Sequence, residues 1–202
     1  MLEYFDILQD KFDSPYFELE EKLTFLNRAQ VNVVNQMVPP SPKNSNVEIN
    51  NDWKNSISSI ISTIKLQAIE GVLYEEAIVD EVERQILKVL NITVAKSHNL
   101  MEGAVVVEVP FNEWSIGQLN SFIRDSRELL TCFRDADGYH IKNGHDSWFY
   151  LAVVKRPLDM TEEQDCELAD ALHNVIITEA LMLAGIGSRD KLLTELSKVQ
   201  SL

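Results

Sequence analysis

Trp148-Phe149-Tyr150-Leu151-Ala152-Val153-Val154, closed by Lys155-Arg156-Pro157, is the clearest strand in the chain. Aromatic and β-branched residues fill it, a composition suited to the pleated surface of a sheet. It is apolar enough that most of it should be buried. A short acidic loop follows. Residues 162–184 then read as a long helix, with Leu168, Leu172, Val175, Ile176 and Leu183 turned inward. Gly185-Ile186-Gly187 ends that helix, and Ser188 caps a last amphipathic one through Leu192, Leu196 and Val199.

The other end of the chain is also helical in pattern. Residues 2–11 place Leu2, Phe5 and Leu8 at spacing three. Ser14-Pro15 marks a helix start, since serine caps free amides and proline suits the first helical position. A stripe of Leu19, Leu23, Leu26, Val33 and Met37, with Ala29 and Gln30 between, runs to the stop at Pro39-Pro40. The helices over residues 16–38 and 162–184 are expected to pack against each other through these stripes.

Between the ends the pattern is mixed. Residues 41–55 are rich in Ser, Pro, Asn and Lys and read as a loop. Residues 56–69 fit a helix by the spacing of Ile57, Ile60, Ile61 and Ile64 but a strand by composition. Residues 74–90 and 114–130 read as helices, and Ala104–Val109 as a strand. Asp137-Gly138 and Asn143-Gly144 are hairpin-turn dipeptides. The fold class expected is α+β, mainly helical. Residues 1–40 and 148–202 would form a terminal helical bundle with one closing strand, and residues 41–147 a mixed α/β insertion.

Composition narrows the function. The chain has 202 residues, 45% of them hydrophobic, with 7 Gly and 6 Pro, which suits one folded domain with an insertion. No apolar run approaches the roughly 18 residues that span a bilayer, and the N-terminus lacks the basic start of a signal peptide. Cys132 and Cys166 form no metal spacing and read as small core residues. The net charge is −14, from 32 acidic and 18 basic residues. Affinity for phosphate backbones comes mainly from Lys and Arg, so nucleic-acid binding is not expected. The charge serves solubility, or else forms an acidic surface past which DNA slides.

Catalytic signals are weak. His140 and His145 lie near Asp135, Asp137 and Asp146, which are metal-capable types in a spacing that matches no metal motif. A solvated hairpin explains them more simply. His173, set mid-helix beside Leu172 and Val175, reads as a packed histidine. The chain has no GxSxG elbow and no glycine-rich phosphate loop. Trp53, Trp114 and Trp148 read as core or interface anchors.

The two ends together resemble the head-to-tail connector (adaptor) proteins of tailed bacteriophages. Members commonly begin with a short helix, a loop, and a helix carrying a Leu-Asn-x-Ala-Gln pattern, here Leu26-Asn27-Arg28-Ala29-Gln30. They commonly end with a strand closing on Arg-Pro, then a helix with Glu-Leu and a following His, here Arg156-Pro157, Glu167-Leu168 and His173. The match covers roughly residues 1–38 and 148–200, and the centre departs from the family pattern. The acidic character and the long insertion suit a podovirus-like or crAss-like neck.

The resemblance implies a structural virion protein, not an enzyme, with no cofactor and no membrane contact. Its copies would form a ring, usually a dodecamer, that binds the portal protein and the next tail or neck ring protein. Genomic DNA would pass through the channel without specific binding. Arg189, Lys191 and Lys198 are candidates for pairing with acids of an adjacent copy. The alternatives are another phage structural or tail-completion protein, and a small metal-dependent hydrolase built on His140 and His145.

Overall fold

The computed structural model describes residues 1–12, 16–38, 52–97, 100–119 and 129–186. The expected Ser14-Pro15 start, the Pro39-Pro40 stop and the last helix with Arg189, Lys191 and Lys198 lie outside them. The chain divides into two compact units, Met1–Ile60 with Pro157–Leu202, and Ile61–Arg156.

The first unit holds α1 (Leu2–Lys11), α2 (Leu19–Met37), α3 (Asp52–Ser56) and α6 (His173–Leu183). A capping box starts α2: the Glu18 side chain takes an amide of the first turn, and Glu21 takes the Glu18 amide at 2.9 Å. α2 packs along α6, with Asn32 Nδ2 donating to Glu179 Oε1 at 3.3 Å. The middle of the expected stripe is the buried face of α2, while Leu23 and Met37 are half-buried. Leu26, Ala29, Gln30, Val33 and Val34 are buried, Leu19 is exposed, and Lys22 is buried with its Nζ 2.6 Å from Asp6. The expected helix over residues 162–184 is much shorter. Residues 162–169 are irregular, Asp170–Leu172 form one 3₁₀ turn, and α6 begins only at His173. Part of the cause is local. The Thr161 hydroxyl accepts the amides of Glu163 and Gln164, an alternative to helical bonding.

The second unit overturns the helical-bundle expectation. It is a mixed α/β domain built on a seven-stranded, nearly closed, barrel-like sheet. The strands are β1 (Ile61–Gln67), β2 (Val72–Tyr74), β3 (Ile86–Lys96), β4 (Val105–Glu108), β5 (Leu129–Arg134), β6 (Gly138–Ile141) and β7 (Trp148–Lys155), with α4 (Glu75–Val82) and α5 (Phe111–Leu119) between them. Their order is β1-β7-β3-β4-β5-β6-β2. All pairs are antiparallel except β4 and β5, whose connection contains α5. The edge strands β1 and β2 are joined by a tight turn, bridged between Ile69 and Val72, with Glu70 and Gly71 at φ 52° and 85°. That turn carries the chain directly from one edge of the sheet to the other.

β7 is therefore not a closing strand on a helical core. It lies inside the sheet, paired with β1 and β3, and buries Phe149, Leu151 and Val153 completely. The expected helix over 74–90 is only the eight-residue α4, which stops where Glu83 turns left-handed at φ 55°. The rest enters β3. Of 114–130, residues 114–119 lie in α5, which starts earlier at Phe111, Leu129 and Leu130 open β5, and 120–128 lie outside the described residues. Asp137-Gly138 turns β5 into β6, as the dipeptide suggested. Asn143-Gly144 does not make a hairpin, because β6 and β7 are not neighbours in the sheet.

Candidate functional site

The residues of the two end motifs can be placed one by one. Asn27 and Gln30 are one helical turn apart on α2, so their side chains share a face. That face meets the extended segment Pro157–Met160, which belongs to no helix or strand. Asn27 Nδ2 donates to the Met160 carbonyl at 3.1 Å, and the Met160 amide returns a bond to Asn27 Oδ1 at 2.7 Å. The side-chain amide thus pairs with the backbone as a neighbouring strand would. Gln30 Nε2 donates to the Leu158 carbonyl at 2.9 Å and to Asn27 Oδ1 at 3.1 Å. The Leu158 amide donates to Glu167 Oε2 at 3.0 Å. Cys166 adds a weak S–H donation to Gln30 Oε1 at 3.8 Å, and burial pushes its thiol above the ordinary range.

Three side chains therefore satisfy both backbone groups of Leu158 and both of Met160. Met160 is buried, and buried backbone groups without partners are costly. Leu26, Ala29, Pro157 and Leu168 are buried and supply the apolar part of the same unit. The structure thus joins Leu26, Asn27, Ala29, Gln30, Pro157, Glu167 and Leu168 in one body. Arg156 falls in the other unit, where its amide continues the ladder to the Gln85 carbonyl at 2.8 Å and its Nη1 donates to Gln85 Oε1 at 3.3 Å. His173 is not mid-helix. It opens α6, half-buried, with Nε2 3.7 Å from Asp170 Oδ1. The sequence did not single out Met160, Leu158 or Cys166 as partners. The available signal was Gln30 itself, an amide set among apolar residues.

The histidine and carboxylate group resolves into a turn and a cleft. Asp135 Oδ1 accepts the amides of Asp137 and Gly138 at 2.9 and 3.2 Å, which shapes the turn. Asp135 Oδ2 lies 2.7 Å from His140 Nε2, and the His140 ring stacks on Phe133 with centroids 4.4 Å apart. Desolvation alone would raise the Asp135 carboxyl. The two amides and His140 outweigh it and hold the group below its ordinary range. His140 and His145 share the lining of a cleft of about 310 Å³ with Glu70, Trp114 and Lys142. Among the described residues no group of three or more His, Cys, Asp or Glu side chains is placed to hold a metal ion. None of the described helices is long and apolar enough to cross a membrane.

No known protein-family model matches the chain, and no curated protein sequence matches it either.

Proposed function

We propose that this chain is a structural virion protein of a phage neck. Its copies form a ring that joins the portal to the tail and extends the DNA channel. The observation that carries the reading is the clamp of Asn27, Gln30 and Glu167 on the segment after Pro157. Asn27 and Gln30 of the first motif bond Met160 and Leu158, 133 and 128 residues away in the segment after Pro157, and Glu167 of the second motif bonds the same segment. Residues with this role hold a fold together, and function then resides in surfaces that meet neighbouring proteins. A net charge of −14 supports a channel wall from which duplex DNA is repelled rather than held.

The test is co-expression with the portal protein encoded nearest to its gene. A tagged portal should retain the untagged chain in stoichiometric amount through purification. Portal recovered without the chain, when both are folded, would overturn the proposal. In the ring, carboxylates should dominate the lumen, and a basic lumen would remove the channel-lining part of the reading.

The hydrolase alternative would have to be built on the cleft beside His140 and His145. The Asp135–His140 pair lies in a turn whose backbone it shapes, and the described residues bring no third ligand to it.

A further inference from the structure

The outward face of the sheet reverses the sign of the protein. β7 alternates, with Phe149, Leu151 and Val153 inward, while Trp148 and Tyr150 point outward, 37% and 44% exposed. Pairing sets Lys65 of β1 opposite Tyr150, and Lys96 of β3 opposite Trp148. Lys65 Nζ stands 5.4 Å from the Trp148 ring centroid and 5.7 Å from that of Tyr150. Two large rings are thus held side by side, with an ammonium over them and a second lysine across the strand. The cross-strand partners of Trp148 and Tyr150 are Gln67, Lys96, Lys65 and Thr93, and none is acidic. Exposed Trp and Tyr ringed by positive charge have the composition of an interface centre.

The opposite sign lies on the opposite side of the same sheet. α4 buries Ile78 in the core shared with Ile64, Leu73 and Leu151, so it covers the inner face. Its exposed residues include Glu76, Asp80 and Glu81. Glu75 is engaged by Arg134 through two bonds of 3.0 Å.

We propose that the Trp148–Tyr150–Lys65–Lys96 patch of one copy docks on the acidic face of α4 in a second copy of this chain. Charge complementarity selects that occupant in a protein otherwise strongly acidic. The two surfaces differ, so the contact is head-to-tail, the kind that generates a ring when its rotation closes. The inference rests on the ring-subunit reading, and its test is separable from that reading.

The full-length protein is studied by light scattering at low ionic strength, with folding checked by circular dichroism. Wild type should self-associate, and the assembly should weaken as salt is raised. Lys65→Glu with Lys96→Glu should weaken association at least tenfold, as should Glu76→Lys with Asp80→Lys. An equal mixture of the two variants should regain association, because each acidic patch then meets a basic helix and the reverse. A monomeric wild type, a lysine variant that assembles like wild type, or a mixture that stays monomeric would each overturn the proposal. So would a single-stranded oligonucleotide that quenches the Trp148 signal and binds without assembly of the protein. If the lysine variant still loads on the portal as wild type does, the docking surface is wrong and the neck reading stands. Charge-swapped assembly without portal binding gives the reverse outcome.

Discussion

Gln30 has no exposed surface, and its amide bonds the Leu158 carbonyl and Asn27. Gln30→Ala takes the side-chain donor from the part-buried Leu158 carbonyl, while Asn27 Oδ1 keeps the Met160 amide. The expected loss is about 1–3 kcal/mol of unfolding free energy, and Asn27→Ala, which frees both groups of Met160, should cost at least as much. Urea titration measures both, and midpoints equal to wild type would show that the clamp is not needed for the fold. Burial gives a second expectation. It pushes the Cys132 thiol and the Tyr139 phenol up to about 12, from ordinary values of 9.0 and 10.0. Both are acids held neutral in the folded chain and released on unfolding. Their contribution is complete below about pH 9 and is lost as pH rises from there through about 12, on the order of 3 kcal/mol per group. Thermal melts between pH 8 and 12 should show that loss, and Cys132→Val or Tyr139→Phe should flatten it. Melts independent of pH up to 12 would contradict the burial account. In the sequence Asn27 and Gln30 stood out as motif residues, Gln30 also as an amide in an apolar stripe, and Cys132 as a small core residue. Their partners lie far along the chain, and no local pattern specifies them.

β3 shows how a strand can imitate a helix. Ile78, Val82, Ile86 and Val89 are spaced by three or four, which reads as a helical face. In the structure the register to β7 slips between Ile86 and Lys88 and again between Val89 and Asn91. Each bulge adds a residue and breaks the period of two. The helix reading of 74–90 therefore held over α4 and failed from Ile86 onward, for a physical reason and not for lack of β-forming residues. β7 has no such interruption in its pairing to β1, and its alternation and apolar content were legible. What remained hidden was its place: a strand carries no mark of being central when its partners are 52 to 93 residues away. The turn at Asp137-Gly138 was legible and is demanding. Gly138 sits at φ 151°, and a Cβ there would lie 2.1 Å from the Leu73 carbonyl oxygen across β2 and β6. Gly138→Ala must displace backbone, so a loss of roughly 2–4 kcal/mol is expected. A calorimetric scan checks it, and an unchanged melting temperature would mean that the β2–β6 pairing is not as described.

The chain as a whole joins a helical unit made from both ends to a sheet unit made from the middle. The contribution of both termini to one body was readable from their apolar stripes. The barrel-like sheet was not, because it is specified by long-range pairing among short or bulged strands. The charge of −14 is summed over all 202 residues, and it sets the demands on any assembly. Copies repel one another unless apolar or oppositely charged surfaces meet, and screening confines that repulsion to roughly 8 Å at physiological salt. In the proposed neck role, a ring of such copies would have to be held by specific contacts, and DNA passing through it would slide without being bound. The most direct measurement is electron microscopy of the purified chain mixed with its portal. The account expects class averages in which extra ring density, of the mass of many copies of this chain, sits coaxially on the portal. Portal particles indistinguishable from the portal alone, in the presence of excess folded chain, would contradict it.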